Sequence, residues 1–408
     1  MKRRWPLLGE WEPTVRFIRV MKTKRLTPQR YQLKKQSAQV LLSEHPWLFR
    51  DGLSSAATVF ASGQWLKLVD HENTVLGYGI YETEGLIAIR VLKRGSRLPD
   101  TAWIHTQIEK ALRKRENVKK YATAIRYVHG ENDGFPGVVL DVYGDTGVLQ
   151  TYSPSVDVLG RYVARVLCQR LGLKNLIWKM PVKRKNQAQR PAVRVIRGKL
   201  PGKISFREGK MGLTVEVGEG QKSGTFLDLR GLRKWVSLQK WQGYRVLNLF
   251  SYTGTLGLAA ETAGAKEIWN VDISQGALDF GKEHHALDKK RYRWVAADVF
   301  EWVKALPKHE RFDVIICDPP MMASRTVQVP TALKSYHKLY EALLPHLGRQ
   351  GTLVAACCTS RIARKRFRLE MDKTIGERLK FRTQILPEED HPVGFPEGDY
   401  LKILVYGT

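Results

Sequence analysis

An α/β fold with a largely parallel sheet, preceded by a β-rich domain and a small α/β module, is the class this sequence predicts. Three observations predict it. From Gly212 onward, runs that suit buried strands alternate with amphipathic stretches that suit helices, and that alternation requires parallel strands with helices on both faces. The first of these strands, in RVLNLFSYTGTLG at 245–257, feeds a Ser-Tyr-Thr-Gly turn from which a helix opens at once. Upstream of Gly212, short apolar runs are divided by turn residues, the texture of β-rich modules.

Taken in order, residues 1–29 are rich in Arg, Lys and Trp without a clear period and form a basic extension, either a solvated tail or an RNA contact. Residues 30–97 carry QVLL, WLKLVD, VLGYGIY and LIAIRVL between turns, a small β-rich domain. His45, alone in the turn His-Pro-Trp, is assigned a structural part. Residues 98–208 form a middle α/β block. Ile104, Ile108 and Leu112 give a helical stripe, and GFPGVVLDVYGDTGVLQTY has the turn chemistry of a paired ribbon. A further helix spans 157–171. From Leu159 to Arg207 there are fourteen Lys or Arg and no acid, centred on PVKRKNQAQRP. A solvated face usually mixes both signs, so the run points to a phosphate-contacting surface.

Residues 209–408 complete the chain. MGLTVEVGEGQKSGTFLDLRG suggests a hairpin. Strands are then expected at 245–250, 267–272, 293–298, 312–318 and 352–357, with helices at 255–263, 275–286, 299–306 and 331–346 between them. A helix near 362–378 and strands at 379–386 and 400–406 follow.

Bulk composition narrows the function classes. The 408 residues exceed one ordinary core, so two or three domains are expected. Lys and Arg number 68 against 40 acids, a formal charge of +28, which argues for a polyanionic partner. No apolar run reaches the length of about 18 residues that a membrane span needs, and no signal-peptide stretch follows the basic N-terminus. The four cysteines lack metal-ligand spacing and disulfide density. A reducing cytoplasm and no metal are expected; a monomer and a homodimer stay equally open.

Open parallel sheets bind ligands beyond the carboxyl ends of their strands. Those ends carry Ser251-Tyr252-Thr253-Gly254, then Asp272, Asp298, Asp318-Pro319-Pro320 and Cys357-Cys358. A single strand-end Asp is commonly a helix cap, but five polar or reactive ends in register exceed capping. The turn at 251–254 is expected to offer backbone N–H groups and close approach at glycine. Asp272 lies 18 residues past Gly254, near the spacing at which a carboxylate accepts from the ribose hydroxyls of an adenosine. Asp298, ahead of Val299 and Phe300, is placed to accept an adenine amino group while the apolar pair flanks the ring. Only Gly254 and Gly257 stand where a dinucleotide fingerprint needs three glycines. That favours S-adenosylmethionine, which has no phosphates, over NAD.

Asp-Pro-Pro after a strand presents a carboxylate and a rigid turn to the edge of a flipped base. A thiol at the next strand end supplies a nucleophile. Carbon 5 of cytosine is too weak a nucleophile to take a methyl group unaided, and addition of a thiolate to carbon 6 activates it. The thiol must fall from about 8.5 into the range of roughly 3.5–7.5 that neighbouring cations produce. Arg361, Arg364, Lys365 and Arg366 follow directly. Methylation of a base nitrogen by the same fold, and a non-catalytic RNA-binding role, are the rival readings.

LLSEHPWLF, HGENDGFPGVVLDVYGD, QKSGTFLDLR, NLFSYTG, VDISQGALD, ADVF, DVIICDPP and DHPVGFPEGDYLK occur in that order. From Tyr31 to Tyr406 the chain resembles the three-domain bacterial 23S ribosomal RNA cytosine-5 methyltransferases that carry a PUA domain. The resemblance implies a PUA-like RNA-binding domain, a linking α/β domain and a Rossmann-like class I methyltransferase domain. It also implies S-adenosylmethionine as methyl donor and large-subunit ribosomal RNA as partner. By position it puts the catalytic cysteine on Cys358 and the base-binding aspartate on Asp318. The cofactor positions it implies are Phe250, Ser251, Tyr252, Thr253, Gly254, Asp272, Ile273, Asp298, Val299 and Pro319. Lys222, Asp228 and Arg230 match the segment before the first strand of that domain. Two departures touch the base pocket: Met321-Met322 stand where the family has Lys-Phe, and Thr359-Ser360 where it has Ser-Gly.

Overall fold

Between Gln29 and Arg94 the alternating apolar residues form strands. The computed structural model describes residues 27–180, 193–218 and 224–408. Strands β1 (Gln29–Gln32), β2 (Trp47–Phe49), β3 (Trp65–Val69), β4 (Val75–Tyr81) and β5 (Ile87–Arg94) make a sheet of order β1-β3-β4-β5-β2. Its core holds Leu41, Leu48, Leu66, Leu68 and Ile89. His45 is part of the turn into β2, its Nδ1 3.2 Å from the Trp47 backbone N–H.

A second five-stranded sheet belongs to the same compact unit. It comprises β6 (Ala124–His129), β7 (Val138–Tyr143), β8 (Thr146–Thr151), β9 (Asn175–Lys179) and β10 (Val193–Arg197), in the order β10-β9-β8-β7-β6. The expected ribbon is present: β7 and β8 pair antiparallel and close on Tyr143 opposite Thr146, with Gly144 at φ 56° in the turn. Helix Asp157–Arg170 crosses from β8 to its parallel partner β9. The centre of the basic run, 181–191, lies outside the described residues. Arg161 and Arg194 on either side of it stack over the Trp178 ring, 5.5 and 5.9 Å from its centroid.

The other compact unit takes in Asn117–Ala124, Lys203–Glu216 and Thr225–Thr408. Strands β11 (Lys203–Glu208) and β12 (Met211–Glu216) form a hairpin. The expected hairpin after Gly212 is thereby corrected. Met211–Glu216 turns back through Gly209, at φ 58°, onto residues before it; 219–223, with Lys222, lie outside the described residues.

The main sheet has β13 (Arg245–Leu249), β14 (Glu267–Asp272), β15 (Tyr292–Ala296), β16 (Phe312–Cys317), β17 (Leu347–Cys357), β18 (Lys380–Ile385) and β19 (Lys402–Gly407). Their order is β15-β14-β13-β16-β17-β19-β18. The first five strands are parallel, and β19 runs antiparallel between β17 and β18. The fifth strand starts earlier than its apolar run, because a register shift opposite Phe312–Val314 absorbs the glycine-rich residues 348–351.

One face of this sheet buries Leu247, Leu249, Trp269, Val271, Ile315 and Leu353 against helices Val299–Ala305, Val329–Leu343 and Arg364–Ile375. On the other face helices Arg230–Ser237 and Thr255–Thr262 pack together, and Gln275–His284 covers β14 and β15. All five parallel strands therefore end at one edge, as the fold class demands.

Candidate active site

The first strand end is a strained turn. Phe250 at φ 56° and Tyr252 at φ 50° occupy the left-handed region, and Gly254 follows at φ 72°. Bulky residues seldom adopt it, and each such residue costs on the order of 1–3 kcal/mol unless its surroundings hold it there. Hydrogen bonds do so here. Ser251 N–H donates to Val271 O at 3.1 Å, and Tyr252 N–H to Asp272 Oδ2 at 2.8 Å. Gly254 N–H donates to Ser251 O at 2.8 Å. Three N–H groups expected to face a ligand are thus engaged by acceptors on β14 and in the turn itself, which leaves it unlike a phosphate cradle.

Glycine at 254 also has a packing cause. A Cβ there would lie 2.6 Å from the Trp294 ring and 2.9 Å from Asn270 Nδ2. One at Gly257 would lie 2.7 Å from Asn270 Oδ1. Beneath them Asn248 donates through Nδ2 to Asn270 Oδ1 at 2.8 Å. His285, which sequence reasoning missed, bears on the turn through Thr253: its Nδ1 is 2.7 Å from Thr253 O, and its Nε2 is 3.1 Å from the Thr214 N–H. An Nδ1–H tautomer satisfies both bonds, and burial pushes its pKa down to about 4.

Asp272 ends β14 and shares its carboxylate between Tyr252 N–H and Ser274 N–H, the latter at 2.9 Å. Ser274, not Asp272, caps the helix that follows. Ile273, next in the chain, leaves its side chain 73% exposed. The third strand stops at Ala296, two residues short of Asp298. Asp298 is the N-cap of helix Val299–Ala305, accepting through Oδ1 from Phe300 N–H at 2.9 Å and Glu301 N–H at 3.4 Å. The expectation that it ends a strand is corrected; it opens a helix instead, with Val299 buried behind it. Phe300 makes an edge contact with the Phe250 ring at 5.6 Å.

Beyond β16 and β17 the structure brings Pro319 and Cys358 together. The Cys358 thiol donates to Pro319 O at 3.4 Å. Of the four cysteines, Cys168, Cys317 and Cys357 are buried and Cys358 alone is partly exposed. Burial raises the Cys317 thiol well above its ordinary pKa. The two positions that depart from the family pattern touch each other: Met322 N–H donates to Thr359 Oγ1 at 3.3 Å, which also meets the Tyr336 hydroxyl at 3.3 Å.

Arg364 pairs with Asp399, Nε to Oδ2 at 3.0 Å, and donates to Leu401 O, while Lys365 and Arg366 are exposed. The ammonium in this region is that of Lys402, fully buried and donating to Thr359 O at 2.6 Å and Tyr400 O at 2.8 Å. Of the other residues matched by sequence, Asp228 accepts from the Tyr400 hydroxyl at 2.6 Å. Arg230 is buried between Glu208 and Asp390.

Five parallel strands with an antiparallel strand inserted beside the edge, all parallel ends meeting at one rim, define a Rossmann-like methyltransferase domain. A profile of S-adenosylmethionine-dependent methyltransferases matches residues 192–405, and one of PUA-like domains matches 32–94. A Ribosomal RNA large subunit methyltransferase of Deinococcus radiodurans is 31% identical over 379 residues, covering 88% of this chain and 92% of its own. Ribosomal RNA large subunit methyltransferase I of Klebsiella pneumoniae is 31% identical over 398 residues, covering 91% and 96%. Among solved structures, SMU.776 complexed with SAH superposes with TM-score 0.81 at 22% identity, over 93% of this chain and all of that one, which shows a common fold. The chain belongs to the S-adenosylmethionine-dependent methyltransferase family that includes the ribosomal RNA large subunit methyltransferases. S-adenosylmethionine is its cofactor.

The residues at the rim fit that cofactor. Ser251 Oγ is buried without a hydrogen-bond partner, and Ile273 offers an apolar side chain beside the Asp272 carboxylate. An orphan hydroxyl and an apolar platform suit a ligand that has both a polar amino-acid end and an aromatic base.

Proposed function

We propose that this enzyme methylates carbon 5 of a cytosine in large-subunit ribosomal RNA through a thiolate adduct on Cys358. The observation that supports this most is the pairing of the one partly exposed cysteine with the Asp-Pro-Pro turn, Sγ 3.4 Å from Pro319 O. The names of the relatives support large-subunit ribosomal RNA as substrate.

In this reading Phe250, Ser251, Tyr252, Thr253 and Gly254 hold the methionine portion of the cofactor. Asp272 accepts from the ribose hydroxyls, and Ile273, Val299 and Asp298 bound the adenine. S-adenosylmethionine, when bound, supplies an electrophilic methyl group on a sulfonium sulfur. The chain's own residues prepare the acceptor. Asp318 and Pro319 orient the amino edge of the flipped cytosine. The Cys358 thiolate forms a bond to carbon 6, and its electron pair makes carbon 5 nucleophilic. After methylation, loss of the carbon-5 proton returns an electron pair to the ring, and the S–C6 bond breaks to release Cys358 as thiolate.

Cys358→Ala is expected to abolish methyl transfer to unmodified ribosomal RNA while leaving S-adenosylmethionine binding by calorimetry intact. Retained transfer would reject the adduct in favour of methylation at a base nitrogen. Mapping of the labelled nucleotide identifies the acceptor atom.

The PUA-like domain, the basic run 159–207 and the segment RIARKRFR at 361–368 are assigned to phosphate contact. With six to ten phosphates neutralised, affinity for ribosomal RNA falls about 10³–10⁵-fold between 50 and 200 mM salt. A flat response would remove this assignment.

A further inference from the structure

Lys402 is an ionisable group that the mechanism above does not use. It opens β19 directly opposite Cys357, the last residue of β17, in antiparallel register. Directly opposed residues in such a pair project from the same face of a sheet, so the Lys402 side chain enters beneath the turn that follows Cys357. Its ammonium is fully buried and donates to three backbone carbonyls: Thr359 at 2.6 Å, Tyr400 at 2.8 Å and Asp399 at 3.5 Å. Three carbonyls satisfy the three donors without neutralising the charge. The carboxylate of Asp399 is committed to Arg364 through both of its oxygens. A buried positive charge held only by backbone carbonyls is costly to keep, and that cost calls for a compensating role.

The neighbours indicate the role. Burial lowers the Lys402 pKa, an effect that Cys357, Asp399 and Cys358 oppose and Arg364 adds to. Tyr336, from helix Val329–Leu343, faces the same two thiols; burial and Cys357 raise its pKa, so it stays neutral near pH 7 and supplies no charge. Asp318, from the turn after β16, adds only negative charge. The Cys358 hydrogen bond to Pro319 O is made by the protonated thiol, so on its own it opposes ionisation. Cys357 lies in the core among Tyr340 and Phe367, which leaves Cys358 as the thiol whose charge can be used.

We infer that Lys402 is a positioning residue that favours the ionised form of Cys358 and anchors its loop, its buried ammonium gripping the carbonyl of Thr359 one residue further on. The inference rests on the reading of Cys358 as nucleophile, but its test does not. Because Cys358 is the one cysteine not buried, iodoacetamide alkylation of the full folded chain reports on it, with Cys358→Ala as the blank. Alkylation rate against pH gives the ionisation midpoint in wild type, Lys402→Met and Lys402→Gln.

The expected result is a midpoint raised by about one pH unit or more in both variants, roughly a tenfold slower alkylation near neutrality. Their melting curves and S-adenosylmethionine binding show whether they remain folded. An unchanged midpoint in a folded variant overturns the inference, since a purely structural lysine would leave the pH profile in place. If neither variant folds, the wild-type midpoint decides: a value below about 8.5 supports a cation at the thiol, and one at or above it overturns the inference. Should Cys358→Ala retain methyl transfer, the nucleophile reading fails while any midpoint shift stands.

Discussion

Gly254 and His285 show how much of the turn after β13 is set by single residues. Gly254→Ala would place a Cβ 2.6 Å from the Trp294 ring on a backbone at φ 72°. Left-handed strain costs roughly 1–2 kcal/mol and overpacking a further 1–3 or so. The expected outcome is a urea midpoint lowered by an amount worth about 2–5 kcal/mol at unchanged slope. His285 gives the turn a pH dependence. Its folded pKa is lowered to about 4 by burial, against about 6.5 in the unfolded chain. Between those values the unfolded state binds the extra proton, so stability rises with pH across the window and is lost as pH falls from about 6.5 to about 4. The loss is of the order of 3 kcal/mol at the acid end. Replacing His285 with Gln should flatten this part of the stability profile, as read by denaturant unfolding at a series of pH values.

Among the elements, the hairpin β11–β12 and helix Arg230–Ser237 are joined by buried charge. Glu208 of β11 accepts from Arg233 Nε at 2.7 Å and from Arg230 Nε at 3.1 Å, while Arg230 also pairs with Asp390 and donates to Ala124 O. Burial works against each charge. For Arg230 it is more than offset by Asp390 and Glu208, so its pKa rises; for Glu208 it is more than offset by Arg233 and Arg230, so its pKa falls. Arg230→Met would remove one partner of Asp390, which keeps its bond to His391 at 2.9 Å, and leave Glu208 with Arg233 alone. Breaking such a buried set typically costs about 3–5 kcal/mol, a loss that thermal unfolding would register. Asp390 lies in the DHPVGFPEGDYLK segment, whose sequence suggested family membership but no structural task. The structure supplies one: the segment's acid closes an ion network, and its final lysine opens β19.

For the whole chain, the formal charge of +28 remains the strongest pointer to a polyanion, and the salt dependence proposed above is its direct consequence. Among the described residues no helix is long and apolar enough to cross a membrane. The α/β alternation, the ribbon at 138–151 and the cofactor were legible because each is a local property. Apolar period, turn residues and the residue at a strand's end are all written in neighbouring positions. Tertiary structure decided what depends on pairing. β12 joined β11 rather than a later partner, and Asp298 became a helix cap because its strand ended two residues earlier. Lys402 meets the turn after Cys357, because an antiparallel register sets residue 402 against residue 357, while Asp399 occupies Arg364. The meeting of Lys402 with Cys357 joins residues far apart in the chain through hydrogen-bond register and burial, neither of which leaves a periodic trace in the sequence.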